Sequence, residues 1–321
     1  MRSVVLFSML LYCSKVAFSE EPCSTGLDVV RKENGFGLTA SAYERWWENG
    51  SVLNVLFLNG SDDDKNLVRN AANEWARHAN IGFKFYKELP DNQRDIAVLF
   101  GNVGNNSYLG VDCRVYARRG LVTMNIQNKT MRVALHEFGH ALGLTHEHLS
   151  PRANIPWDRE AVYRYYQGPP NNWSREKTDL NIFKIQHTTP LATQFDTQSI
   201  MLYPVPNAFT RGDYEISYNE SLSKLDKFWI GALYPHGESW LYRNLSNRTM
   251  GRFVKTNSGW TEYIFNDGVI ANFTETKRVG GEIYLFDKSR SIEVVLRAND
   301  GLLRDQQNNQ QFVRFFQRVG R

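Results

Sequence analysis

Between positions 136 and 146 the chain reads His136-Glu137-Phe138-Gly139-His140-Ala141-Leu142-Gly143-Leu144-Thr145-His146. His136 and His140 stand four residues apart, so on a helix both imidazoles project from one face. Neutral imidazole nitrogens are good ligands for Zn²⁺. Glu137 lies one position further round and need not bind the metal; it is placed to hold a metal-bound water as general base. Gly143, without a Cβ, can end the helix and let the chain turn sharply. That turn swings His146 back as a third ligand. Three nitrogens leave one coordination position for water, which marks a catalytic rather than a closed structural site. His148 would occupy the water position and is read as lying outside the ligand set.

The chemistry that follows is peptide-bond hydrolysis with one Zn²⁺ per chain. The metal lowers the pKa of its water to about 7, and Glu137 takes the proton and later delivers it to the leaving amine. The competing reading is a secreted binding or toxin-like module with a structural zinc site. Glu137 and the open coordination position argue against it.

The elements that must position these groups are legible in outline. Val52 to Leu58 is β-rich and ends at Asn59-Gly60, a turn signal. Asp62 and Asp63 offer helix caps, followed by Leu67, Val68, Ala71 and Trp75 at helical spacing. Phe83 and Phe85, Asp95 to Phe100 and Leu121 to Ile126 read as further strands. Asn128 or Thr130 then opens the helix that carries the histidines, and Gly143 closes it. The fold class is α+β, a twisted mixed sheet with helices packed on it. After Trp240 short apolar runs alternate with Gly and Asn-Asp turns, which reads as a small all-β domain. Its Trp240, Trp260, Tyr263 and Tyr284 are core residues on one reading. On the other they form a stacking surface for glycan or matrix that delivers the enzyme.

The histidine stretch resembles the extended zinc motif of the metzincin endopeptidases, and Glu147 directly after the third histidine resembles the astacin branch. A second match is Asp196-Thr197-Gln198-Ser199-Ile200-Met201-Leu202-Tyr203, which is similar to the astacin Met-turn. The resemblance implies a metzincin or zincin-like catalytic domain. It implies Met201 as the hydrophobic floor of the zinc site and Tyr203 as a zinc-side hydroxyl that stabilises the oxyanion. It also implies a mature N-terminus folded inward toward Glu147, and a polypeptide substrate lying extended along an edge strand. Asp95 to Phe100, followed by Gly101 to Gly110, is the candidate for that edge and its rim. Leu202 and Leu144 stand where animal astacins usually carry His and an aromatic residue, and the family's two disulfides cannot form from the cysteines present.

The N-terminus reads as a secretory signal. Arg2 is followed by the short apolar run Val4 to Tyr12, and Ala17-Phe18-Ser19 fits the cleavage pattern. The chain therefore divides into a signal peptide at 1–19, a short pro-segment or arm at 20–44, a catalytic domain at 45–236 and a β-rich accessory domain at 240–321. Secretion leaves Cys23 and Cys113, which read as one disulfide; the alternative is Cys23 as an inhibitory thiolate on the metal. There are nine Asn-x-Ser/Thr sites, Asn49, Asn59, Asn105, Asn128, Asn172, Asn219, Asn244, Asn247 and Asn272, so the expected product is an extracellular glycoprotein. The net charge is +4 with no basic block, which excludes a nucleic-acid footprint, and no later segment is long and apolar enough to span a membrane.

Overall fold

The computed structural model describes residues 45–102, 104–169, 171–184, 194–245, 250–265, 268–308 and 311–319. The expected signal peptide, the arm, Cys23 and Asn247 lie outside the described residues.

Val52–Phe57 forms β1. It is followed by helix α1, Asp62–Ala76. Ser61 caps this helix, not the expected aspartates: its hydroxyl accepts from Asp64 N at 3.2 Å, and the Asp64 carboxylate accepts from Ser61 N at 3.0 Å. This is a capping box, and it places Asp62, Asp63 and Asp64 in the first turn, where the helix dipole favours acids. Next come β2 (Gly82–Tyr86), β3 (Ile96–Leu99), β4 (Asn106–Ser107), α2 (Asp112–Ala117), β5 (Met124–Asn125) and α3 (Met131–Ala141). The sheet order is β2-β1-β3-β5-β4. The pairs among β1, β2, β3 and β5 are parallel, and β4 is antiparallel to β5.

The expected edge at Asp95 to Phe100 is corrected by this order. β3 lies between β1 and β5, and Ile96, Ala97 and Val98 are fully buried. A short all-apolar run is what a strand covered on both faces requires. The terminal strands are β2 and β4, and β4 lies inside the segment expected to be only the rim. Helices α1 and α3 pack together behind the sheet, where Trp75 Nε1 donates to Leu135 O at 2.9 Å and Phe138 meets Phe83 edge to face at 5.5 Å.

Cys113, on α2, is a fully buried free thiol that donates to Tyr108 O at 3.2 Å. Burial pushes its pKa up. The expected disulfide is thus not met at Cys113.

After α4 (Arg159–Gln167), α5 (Arg175–Thr178) and α6 (Lys224–Leu233), eight strands follow. They are β6 (Ser239–Asn244), β7 (Met250–Thr256), β8 (Gly259–Ile264), β9 (Val269–Val279), β10 (Glu282–Asp287), β11 (Ile292–Leu296), β12 (Asp300–Asp305) and β13 (Val313–Arg318). Each pairs antiparallel with the next, and β13 closes on β6, giving a barrel. Trp240 and Trp260 are buried in the barrel core with Phe253, Phe273 and Phe316. Tyr263 instead packs against Phe228 and Trp229 of α6, and Tyr284 lies on the outer wall with Lys277 4.2 Å above its ring. Trp240 and Trp260 thus follow the core reading, and the four aromatics do not share one stacking face, because period-two alternation sends alternate side chains in and out.

Candidate metal centre and active site

Helix α3 begins at Thr130, whose hydroxyl accepts from Val133 N at 3.3 Å. It ends where Gly143 N donates to His140 O at 2.8 Å and Leu144 N to Gly139 O at 2.9 Å. Gly143 sits at φ +96°, a conformation open to glycine and strained for other residues. The reversal brings His146 back over the helix.

His140 Nε2 lies 3.1 Å from His136 Nε2 and 3.1 Å from His146 Nε2. His136 Nδ1 is 2.8 Å from Ile200 O, and His140 Nδ1 is 2.8 Å from Leu144 O. A carbonyl can only accept, so each of these Nδ1 atoms carries the proton and each Nε2 turns a lone pair inward. Lone pairs at this separation cannot bond to one another and call for a cation between them. Burial drives the pKa of all three imidazoles down, that of His140 to about 4, so they are neutral ligands. Three inward nitrogen donors, with at least two oriented by main-chain carbonyls, fit Zn²⁺.

The loop beneath is tied in tightly. A Cβ on Gly139 would collide with Met201 Sδ, so the thioether lies directly against the last turn of α3, beside the residue before His140. Met201 O accepts from Glu147 N at 3.0 Å, and Glu147 Oε1 accepts from Asp196 N at 2.9 Å. Burial pushes the Glu147 carboxyl up to about 8. The Tyr203 ring centre is 4.4 Å from that of His146 and 4.7 Å from that of His148. His148 Nε2 is 2.8 Å from Asn181 O, and His148 is not among the converging donors. Glu137 is fully buried on α3 beside His136.

Sequence reasoning missed Asp226. Its carboxylate accepts from Ser199 Oγ at 2.7 Å, Ile200 N at 2.8 Å and Ser223 N at 2.9 Å. The local signal was present, since Ser223-x-x-Asp226 is a capping-box pattern that opens α6. What could not be read is that the same carboxylate reaches the Met201 loop.

The Astacin model, which describes a peptidase family, matches residues 39–224. The chain belongs to the astacin family. Among curated relatives it is 26% identical over 178 residues to bone morphogenetic protein 1 of Xenopus laevis, covering 54% of this chain and 22% of that protein. It is 25% identical over 181 residues to tolloid-like protein 2 of Mus musculus, covering 54% of this chain and 16% of that protein. The match thus spans about a fifth of the length of these relatives. Among solved structures, myroilysin is 36% identical with a TM-score of 0.57, covering 62% of this chain and 99% of that one. The match places the chain in a peptidase family, and His136, His140 and His146 form the triad that fits its zinc. The astacin match stops before β6, so the barrel lies outside it.

Proposed function

We propose that this astacin is a secreted endopeptidase that hydrolyses polypeptides, with Glu137 as general base and Tyr203 as oxyanion donor. The observation that carries the reading is the convergence of three neutral imidazoles on one point, with a buried carboxylate next in sequence to the first of them. Bound zinc supplies Lewis acidity and a water acidified to a pKa of about 7. Glu137 accepts the proton of the attacking water and returns it to the departing amine. Tyr203, ring-packed on His146, presents its hydroxyl to the negative charge that develops on the scissile carbonyl. Met201 keeps the floor apolar, and Glu147 locks the Met201 loop to the third ligand.

The substrate main chain pairs with β4, whose outer side has no neighbouring strand among the described residues. Backbone pairing of this kind recognises a polypeptide without fixing its sequence. Secretion rests on the N-terminal leader pattern.

Glu137→Gln tests the assignment. The variant is expected to retain one zinc per chain while hydrolysis of a fluorogenic peptide falls by about 10²–10⁴-fold. Near-normal turnover in that variant would remove Glu137 from the reaction.

A further inference from the structure

The reversal at Gly143 that returns His146 is covered from outside by one indole. A Cβ on Gly143 would stand 2.9 Å from Trp46 Cδ1, so Trp46 is packed directly on the turn. The neighbouring Trp47 donates its Nε1 proton to Ala141 O at 2.7 Å, and Tyr234 donates its hydroxyl proton to Leu142 O at 2.8 Å. Tyr234 also accepts from Trp47 N at 3.2 Å. The last carbonyls of α3, which a helix cannot satisfy itself, are thus held by the 46–47 segment and by the end of α6.

Behind Trp46 stands the barrel. Phe265, directly after β8, meets the Trp46 ring edge to face at 5.2 Å. Phe265 is fully buried, yet it belongs to the catalytic core cluster and not to the barrel interior. The alternation along β8 explains this: Trp260 turns inward, while Tyr263 and Phe265 turn toward α6. Met250, paired through its carbonyl with Phe265 N at 3.0 Å, joins the same core. Apolar packing therefore runs without a break from the outer wall of the barrel to the turn before the third metal ligand.

We propose that the barrel is part of the catalytic centre's framework, and that Phe265 is a positioning residue that holds His146 through Trp46 and the Gly143 turn. The inference rests on the metal-centre reading above. It runs against the alternative of an accessory domain that only delivers the enzyme to a target, since such a module would not share a core with the zinc helix.

The test uses the full-length chain and two matched cavities. Phe265→Ala removes the buttress; Phe253→Ala removes an equally buried ring from the barrel interior. Zinc affinity is read by chelator competition, kcat and KM on a short fluorogenic peptide, and thermal midpoint by calorimetry. Both variants are expected to lose thermal stability. Only Phe265→Ala is expected to weaken zinc by about tenfold and lower kcat with KM unchanged, and Phe265→Leu is expected to restore most of both. Unchanged zinc affinity and kcat in Phe265→Ala, or equal losses in Phe253→Ala, would overturn the proposal. If Phe265→Ala does not fold, Trp46→Phe is measured in its place with the same expected direction and the same overturning result. Zinc affinity also keeps the two readings apart. An unmodified chain that holds zinc without cleaving peptides overturns the peptidase reading, and the barrel's role is then decided on affinity alone.

Discussion

The Asp226 carboxylate accepts a 2.8 Å hydrogen bond from the main-chain N–H of Ile200, and the carbonyl of Ile200 in turn accepts from His136 Nδ1 at 2.8 Å. A side chain on α6 thereby fixes the tautomer of a metal ligand on α3 through one shared residue. Such indirect partners usually matter nearly as much as the ligands. Asp226→Ala is expected to weaken zinc binding by roughly tenfold and to cost on the order of 2 kcal/mol of stability, because three buried donors lose their acceptor. Chelator competition and denaturant unfolding check both figures; a variant with normal zinc affinity would show that Ile200 holds its place unaided.

Gly139 faces Met201 so closely that no side chain fits between them. In Gly139→Ala the new methyl group meets Met201 Sδ and stands 3.3 Å from Trp75 Cζ2. Overpacking of this kind costs about 1–3 kcal/mol. Peptidase activity is expected to fall as well, since the strain sits between two ligands. The double variant Gly139→Ala with Met201→Ala should recover part of the stability, which calorimetry would reveal.

Inside the barrel, Tyr242 donates its hydroxyl proton to Glu262 at 2.5 Å, and burial, the largest influence there, raises the Glu262 pKa above its ordinary 4.5. The folded chain therefore holds this proton when the unfolded chain has released it. The associated stability is complete below the ordinary carboxylate range and is lost as pH rises through the raised value. Unfolding midpoints measured from acid to neutral pH should decline more steeply in the unmodified protein than in Glu262→Gln. Parallel curves would contradict this.

The eight glycosylation sequons whose asparagines are described are not equivalent in the fold. Asn105 is buried, and its Oδ1 accepts from Gln127 N and Asn128 N, both at 2.9 Å. Asn59 exchanges two hydrogen bonds with the Phe100 main chain, at 2.8 and 3.0 Å. Asn272 lies exposed on β9. Glycopeptide mapping of protein secreted from a eukaryotic host is expected to find carbohydrate at Asn272 and none at Asn105 or Asn59.

The zinc stretch was readable because everything it needs is local: helical spacing sets His136 and His140, and one glycine sets the return of His146. Met201 and Tyr203 came from the family resemblance, for nothing in their own neighbourhood separates a floor residue from ordinary core. The edge strand was misplaced because an apolar tetrapeptide such as Ile96 to Leu99 does not encode its neighbours, and the strand order that buried it depends on contacts far along the chain. Asp226 was hidden for the same reason, its helix-capping role being local and its hold on Ile200 spanning 26 positions. In the C-terminal half, alternation announced strands but not closure. Whether Trp260 turned inward or Tyr263 outward followed only once β13 had met β6.

A closed meander has no loose selvedge. With β6 to β13 joined in a ring, the described residues of this half offer incoming polypeptide no open ladder. Among the described residues, the terminal strands of the remaining sheet are β2 and β4. Under the proposed function, a substrate that pairs with β4 meets only its two residues, a short grip. A foothold so brief suits a catalyst that must let its products go.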